Sequence, residues 1–382
     1  MKRSSRQIGF LVPAALMLLA LPACQKTQEV QVEEQPGEEI LMEPTSASPV
    51  TRAMSLIENE TALRGYDIRI DAYFHDSAQA LFSGAKLRYQ TADLYRRWMF
   101  VDNSSYIIHH YWPIEGSVHA GAGTVSSVDF VGYVPYSADA TIPNTGVTIG
   151  EYTPGYWVSE SYTPGAPSFS ATLPVTAGDP NTFNETNQAN LQEFMYAYKA
   201  NQTKDSDAGE REKTGAEVGS VAMTFQHPFA LVYIYLSKAK RNTKINSITL
   251  SGLKTSGTFT HGSGWNTSEG VVANLYKEVN KTIPDALNFK AIIGGPFLVI
   301  PQDLTGSTNN LTVNRTYPGN SEDPEDTANI QASITTNWQP GYIYSYYLDM
   351  GEDSGQILVD VTIEAWMENW QGTGYNMEID VK

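Results

Sequence analysis

Three histidines, His109, His110 and His119, lie close enough in the chain to suggest a metal site. Adjacent histidines on an extended strand face opposite sides, however, and a metal site needs convergent ligands, so ordinary surface or core histidines are expected. Asp360 and Glu364 could be the acid and nucleophile of a glycosidase, yet they fall on the polar face of an alternating run, where solvated carboxylates belong. Walker and Rossmann glycine loops, His-Glu-x-x-His, a Gly-x-Ser-x-Gly elbow and an EF-hand loop are all absent from the sequence. The residues therefore predict no catalytic site, no cofactor and no metal, and a protein that is not an enzyme.

Covalent chemistry is expected instead at Cys24, the only cysteine of 382 residues, which leaves no partner for an intrachain disulfide. Lys2, Arg3 and Arg6 precede an apolar run, Ile8 to Leu21, which closes with Leu21-Pro22-Ala23-Cys24. That is the layout of a removable export signal over residues 1–23, too short and interrupted to span a bilayer. The sequence around Cys24 resembles the lipobox of bacterial lipoproteins. The resemblance implies a diacylglycerol on the thiol, cleavage before the cysteine, and acylation of the new amine. At about 0.8 kcal/mol per buried CH₂, one acyl chain holds weakly and two or three hold stably.

Residues 24–52 read as an acidic flexible tether. Glu29, Glu33, Glu34, Glu38, Glu39 and Glu43 face a single Lys26 among Pro36, Pro44 and Pro49, a composition that buries too little surface to offset chain entropy. Acidic residues soon after a lipidated cysteine also resemble the surface-export signals of lipoproteins in the Bacteroides group. The whole chain carries 42 acidic and 25 basic residues, a formal charge of -17, and its basic pairs are isolated, which excludes nucleic acid as a partner.

Beyond the tether, period-two patterning dominates the chain. Tyr66, Ile68, Ile70, Ala72 and Phe74 alternate with Asp67, Arg69 and Asp71, as in a half-buried strand. Tyr342 to Met350 and Ile357 to Ala365 alternate in the same way about Gly351-Glu352-Asp353-Ser354-Gly355, which predicts a β-hairpin. Further strands are expected over Phe130–Tyr136, Val221–Leu236, Ile245–Leu250 and Pro296–Ile300. Leu191, Phe194, Met195 and Tyr198 are spaced to cover one face of a short helix within Asn190–Ala200. The charged stretch Lys204–Thr214 then marks a boundary between an amino-terminal domain, 53–214, and a carboxy-terminal one, 215–382. Short strands with frequent turn signals predict sandwiches. Most of the 22 Tyr and 7 Trp belong in cores, but Tyr152, Tyr156, Trp157 and Tyr162 fall in a Gly/Pro-rich loop that could pack internally, contact a partner or stack on a sugar.

His110-Tyr111-Trp112-Pro113, Asp129 to Tyr136, Glu193 to Ala197, Phe225 to Ala230, Ile300-Pro301-Gln302, Trp338 to Tyr344 and Ile363 to Trp366 resemble, in that order, the landmarks of the Bacteroidales fimbrillins. The resemblance implies an all-β fold of two tandem transthyretin-like Greek-key β-sandwich domains with a short helix near their junction. It also implies a lipoprotein of the cell outer membrane that is built into a fimbrium with other pilin subunits and contacts a host or bacterial surface receptor. In that family an arginine-specific protease removes the tether and first strand, and a neighbour's strand fills the groove. Arg52 is the first choice for such a cut and Arg64 the second. The donor strand is expected at Tyr375, Met377, Ile379 and Val381, which alternate with polar residues; the sequence leaves tip, stalk and anchor roles open. The rival reading is a surface lipoprotein that binds glycans for uptake through the Tyr152–Tyr162 loop. Mass spectrometry of the membrane fraction should find Cys24 acylated; a free thiol there would refute the anchor.

Overall fold

The computed structural model of the chain describes residues 39–46 and, with short breaks, 57–206, 220–317 and 324–366. Cys24, Arg52 and the expected donor residues Tyr375, Met377, Ile379 and Val381 lie outside the described residues. Apart from two short helices, α1 (Glu60–Leu63) and α2 (Glu185–Ala189), the described residues form strands and loops. No helix among them is long and apolar enough to cross a membrane.

Fifteen strands carry most of the architecture. In the first part of the chain they are β1 (Leu41–Ser46), β2 (Ile68–Phe74), β3 (Ala80–Gln90), β4 (Arg97–Val101), β5 (Val128–Val134) and β6 (Met195–Gln202). The second part supplies β7 (Ser220–Phe225), β8 (Ala230–Lys238), β9 (Lys244–Lys254), β10 (Val272–Thr282) and β11 (Ala291–Val299). It continues with β12 (Leu311–Tyr317), β13 (Asp326–Ala332), β14 (Tyr342–Asp349) and β15 (Leu358–Ala365). One sheet runs in the order β6-β5-β2-β3-β4, a second runs β11-β8-β14-β15, and a third places Thr182–Asn184, β10, β9, β12 and β13 side by side. A fourth joins Thr141–Ile142, Val147–Ile149 and Ser168–Thr172 to Ser256–Thr260 and Gly264–Asn266, so residues far apart in sequence share one ladder.

Three apolar cores lie between these layers. The first packs β8, β11 and β14 against β9, β10 and β12 around Trp338, whose indole N–H donates to the Tyr346 hydroxyl at 2.8 Å. The predicted hairpin is present as β14 and β15, in register from Tyr342 opposite Ala365 to Asp349 opposite Leu358. The second core lies beneath β2, β5 and β6 and is closed by β1 and β7. The third joins the opposite faces of β5 and β6 to Leu231, Tyr233 and Tyr235 of β8 and to Phe169 and Phe259, whose rings stack at 4.8 Å.

Three expectations are corrected. Residues 190–200 are not helical: α2 ends at Ala189, capped at its start by the Asn184 side chain, and β6 occupies Met195–Gln202 in antiparallel register with β5. Met195 and Ala197 point into the second core while Tyr196 enters the third. A strand buried on both faces shows no polar alternation, and its apolar residues then mimic helical spacing. Arg69 and Asp71, expected on a solvated face, are buried as well. Arg69 Nε pairs with Asp71 at 2.9 Å and its Nη1 donates to the carbonyls of Ser137, Ala138 and Asp139, while Asp71 accepts from Ser83 Oγ and Gly84 N at 2.6 Å each. Every charge in this pair is therefore matched, as burial demands. Finally, Leu41–Ser46, assigned to the tether by composition, is strand β1, with Ile40 and Met42 almost completely buried. Ile40-Leu41-Met42 supplies enough apolar surface to fix this short segment although its flanks are acidic.

Gly132 of β5 is where β7 comes closest to the sheet: a Cβ there would lie 2.6 Å from Phe225 Cζ and 3.3 Å from Met223 Cε. Gly132→Val should therefore force Phe225 aside and destabilise the fold by roughly 1–3 kcal/mol, measured as a lower urea midpoint.

Candidate functional site: a strand slot filled by residues 41–46

Among the described residues β1 pairs only with β7, in parallel, from Leu41 opposite Ser220 to Ser46 opposite Phe225. Ile40, Met42 and Pro44 are the alternate residues turned inward, each buried. Ile40 and Met42 meet Val221, Met223 and Phe225 of β7 together with Ile68, Ile70, Phe100 and Phe130 in the second core. Pro44 has no N–H to donate, which suits a strand with a ladder along one edge only. At its other edge β1 is held near its start: the Ile40 N–H donates to the His110 carbonyl at 2.7 Å, Glu39 bridges to Tyr111, and the Glu39 carboxylate meets His109 Nδ1 at 2.7 Å.

The next fixed point of the chain is Ile57, fully buried in the same core and followed by Leu63 of α1. The Ile57 N–H donates to the Glu193 carboxylate, which abuts His227 Nδ1, and the His227 ring stacks on Trp366 at 4.2 Å and 3°. Glu193, His227 and Trp366 are almost wholly buried. Arg52 thus falls in the interval between β1 and Ile57. Arg64 sits exposed just after α1, with its guanidinium 4.6 Å from the Tyr89 ring centre.

The aromatic loop divides. Tyr152 is committed to the interior: its ring stacks on Tyr73 at 4.3 Å, its hydroxyl donates to buried Asp129, and burial raises its pKa first, with that hydrogen bond second. Tyr156–Val158 and Ser161–Thr163 form a small hairpin with Trp157 opposite Tyr162 in register, and Tyr156 is exposed. The His109 side chain meets Glu39 and the His110 carbonyl holds the Ile40 N–H, and among the described residues no group of three potential ligands converges. Asp360 and Glu364 lie exposed on β15. Sequence reading missed the inward residues Ile40, Met42 and Pro44; three consecutive apolar residues within an acidic segment were the available signal.

Fold and slot define a class: an all-β protein of several packed sheets with an amino-terminal strand lodged in a groove. Within that class, the profile described as fimbrillin-like matches residues 100–366, and the chain belongs to the fimbrillin-like family. Among solved structures it is similar to a fimbrial protein from Bacteroides vulgatus, with 12% identity, 87% of this chain and 100% of that chain covered, and a TM-score of 0.55. It is also similar to a candidate cell adhesion protein from Bacteroides uniformis, at 17% identity, 86% and 99% coverage and a TM-score of 0.44. The tip fimbrial protein Mfa3 from Porphyromonas gingivalis, with a C-terminal truncation, aligns at 11% identity, 86% and 100% coverage and a TM-score of 0.34. No curated protein sequence matches it.

His110 makes the slot sensitive to acid. Its ring stacks on Phe82 at 4.0 Å and meets the edge of Phe100 at 4.7 Å, its Nε2 is buried without a hydrogen-bond partner, and burial holds its pKa below the ordinary 6.5. The unfolded chain therefore takes up the proton first, so this contribution to stability is complete above about pH 6.5 and is lost as pH falls through the lower folded-state value. His261 shifts in the same direction for the same reason. The melting temperature should drop between about pH 7.5 and pH 5, and drop less in His110→Phe, which keeps the ring stack; equal slopes would remove His110 from the account.

Proposed function

We propose that this chain is a subunit of a fimbria on the bacterial surface, exported as a precursor lipidated at Cys24 and assembled by strand exchange after a cut at Arg52. The observation that carries the proposal is β1: a short strand, paired along one edge, that fills an apolar slot and precedes the expected cleavage residue. A cut at Arg52 would detach β1 while leaving Ile57 and Leu63 in the core. A cut at Arg64 would detach those two anchors as well, which favours Arg52.

Loss of β1 would uncover the β7 edge from Ser220 to Phe225 and the space taken by Ile40 and Met42, each worth about 1.5–3 kcal/mol of burial. Unpaired backbone and vacated apolar pockets together form a template for another chain's strand. The stretch Tyr375, Met377, Ile379 and Val381 of a second copy has the alternation needed to refill it. We place the export signal in residues 1–23 and two transthyretin-like sandwich units at 53–214 and 215–382, with β7 of the second lending its strand to the core of the first. Before cutting, the protein would sit in the outer membrane through its lipid.

Purified precursor treated with an arginine-specific protease should lose a fragment ending at Arg52 and form denaturant-resistant ladders, whereas Arg52→Ala should remain monomeric. Ladders of equal extent from the variant would refute processing at this residue.

A further inference from the structure

The exposed apolar side chains of this protein are unevenly distributed. Among the described residues Tyr106, Ile107, Tyr111, Ile114 and Val118 all come from one stretch, with Tyr111 41% exposed, Ile114 50% and Val118 78%. The stretch borders the slot: Tyr111 bridges to Glu39 and the neighbouring His110 carbonyl holds the Ile40 N–H. Because that bridge is antiparallel, chain following Tyr111 leads away past the start of β1. Isolated exposed apolar residues need no explanation, but a run of them leading away from the end of a strand-binding groove offers a contact surface.

We infer that Tyr111, Ile114 and Val118 form the seat for the body of a second copy of this chain, whose strand enters the slot at the Glu39 end and runs parallel to β7 as β1 does. This rests on the strand-exchange reading and adds to it the direction of entry and the surface engaged. Chain length limits where the second body can sit. Eight residues separate Trp366, the last described residue of the strand region, from Tyr375. Fully extended, that connection reaches at most about 30 Å. The donor's folded body must therefore lie beside the end of the slot at which its strand enters. Entry at the Glu39 end puts that body where Tyr111, Ile114 and Val118 are exposed, and the cut that removes β1 also removes every residue before it from the same end. A seat of this kind cuts the orientational freedom of the incoming strand, which speeds docking without altering the slot.

The test uses the full chain with Tyr111→Ser, Ile114→Ser and Val118→Ser combined. These positions are exposed, so cutting at Arg52 and the melting temperature should stay as in wild type, while ladder formation slows about tenfold or more. A second measurement does not depend on that variant. With Cys24 as its only cysteine, the cut protein carries none. A photo-crosslinker placed at Val118→Cys should trap neighbouring subunits in the ladder, and one at Tyr276→Cys, exposed on β10, should not. Laddering by the triple variant at the wild-type rate, or equal trapping from both positions, overturns the seat. A wild-type chain that is cut at Arg52 yet forms no ladder brings down the strand-exchange reading itself, and the seat with it.

Discussion

A sheet edge with apolar pockets beneath it cannot be left bare in water, and the arrangement of β1 on β7 answers that constraint. The unpaired N–H and C=O groups of Ser220–Phe225 and the side chains of Val221, Met223 and Phe225 require a strand lying across them. β1 provides it from a segment otherwise rich in acid and proline. The bond is modest: six residues, one ladder, and three side chains turned inward. A closure of that size contributes only a small share of the apolar surface that the second core buries.

The remainder of the molecule braces this edge. Strands β5, β6 and β8 are buried on both faces, so the cores on either side are tied through the same backbone. Gly132 allows β7 to approach β5 closely, and Asp129, fully buried on the same strand, accepts from the Asn201 N–H and the Tyr152 hydroxyl and pairs with His75. Close-packed cores that share strands deform little. The slot therefore keeps its shape through the rigidity of β5 and β6.

Much of this was legible in the residues. Alternation along Tyr342–Ala365 revealed the hairpin because one face of β15 is open to water, and the order of short motifs from His110 to Trp366 pointed to the family. Several of those motifs meet in space: Glu193, His227 and Trp366, from three of them, form one contact chain. Legibility failed where tertiary burial replaced alternation. β6 mimicked a helix because both its faces are covered, and Arg69 and Asp71 looked solvated because the carbonyls that receive Arg69 lie 68 to 70 residues away. β1 was hidden by its acidic surroundings, since composition averages over the three residues that decide its fate. Tyr152 looked available in a Gly/Pro-rich loop, but its partners Tyr73 and Asp129 cannot be inferred from local sequence.

The contact chain from Ile57 through Glu193 and His227 to Trp366 spans nearly the whole described sequence. It rivets Ile57, the first described residue after β1, to Trp366 at the end of β15. A buried carboxylate beside an imidazole is expensive to desolvate, and such pairs persist where a unique geometry matters more than raw stability. The consequence is mechanical: force applied between Ile57 and the end of β15 meets in one buried contact chain, so tension along that line would load the middle of the described body before it could peel back its rims.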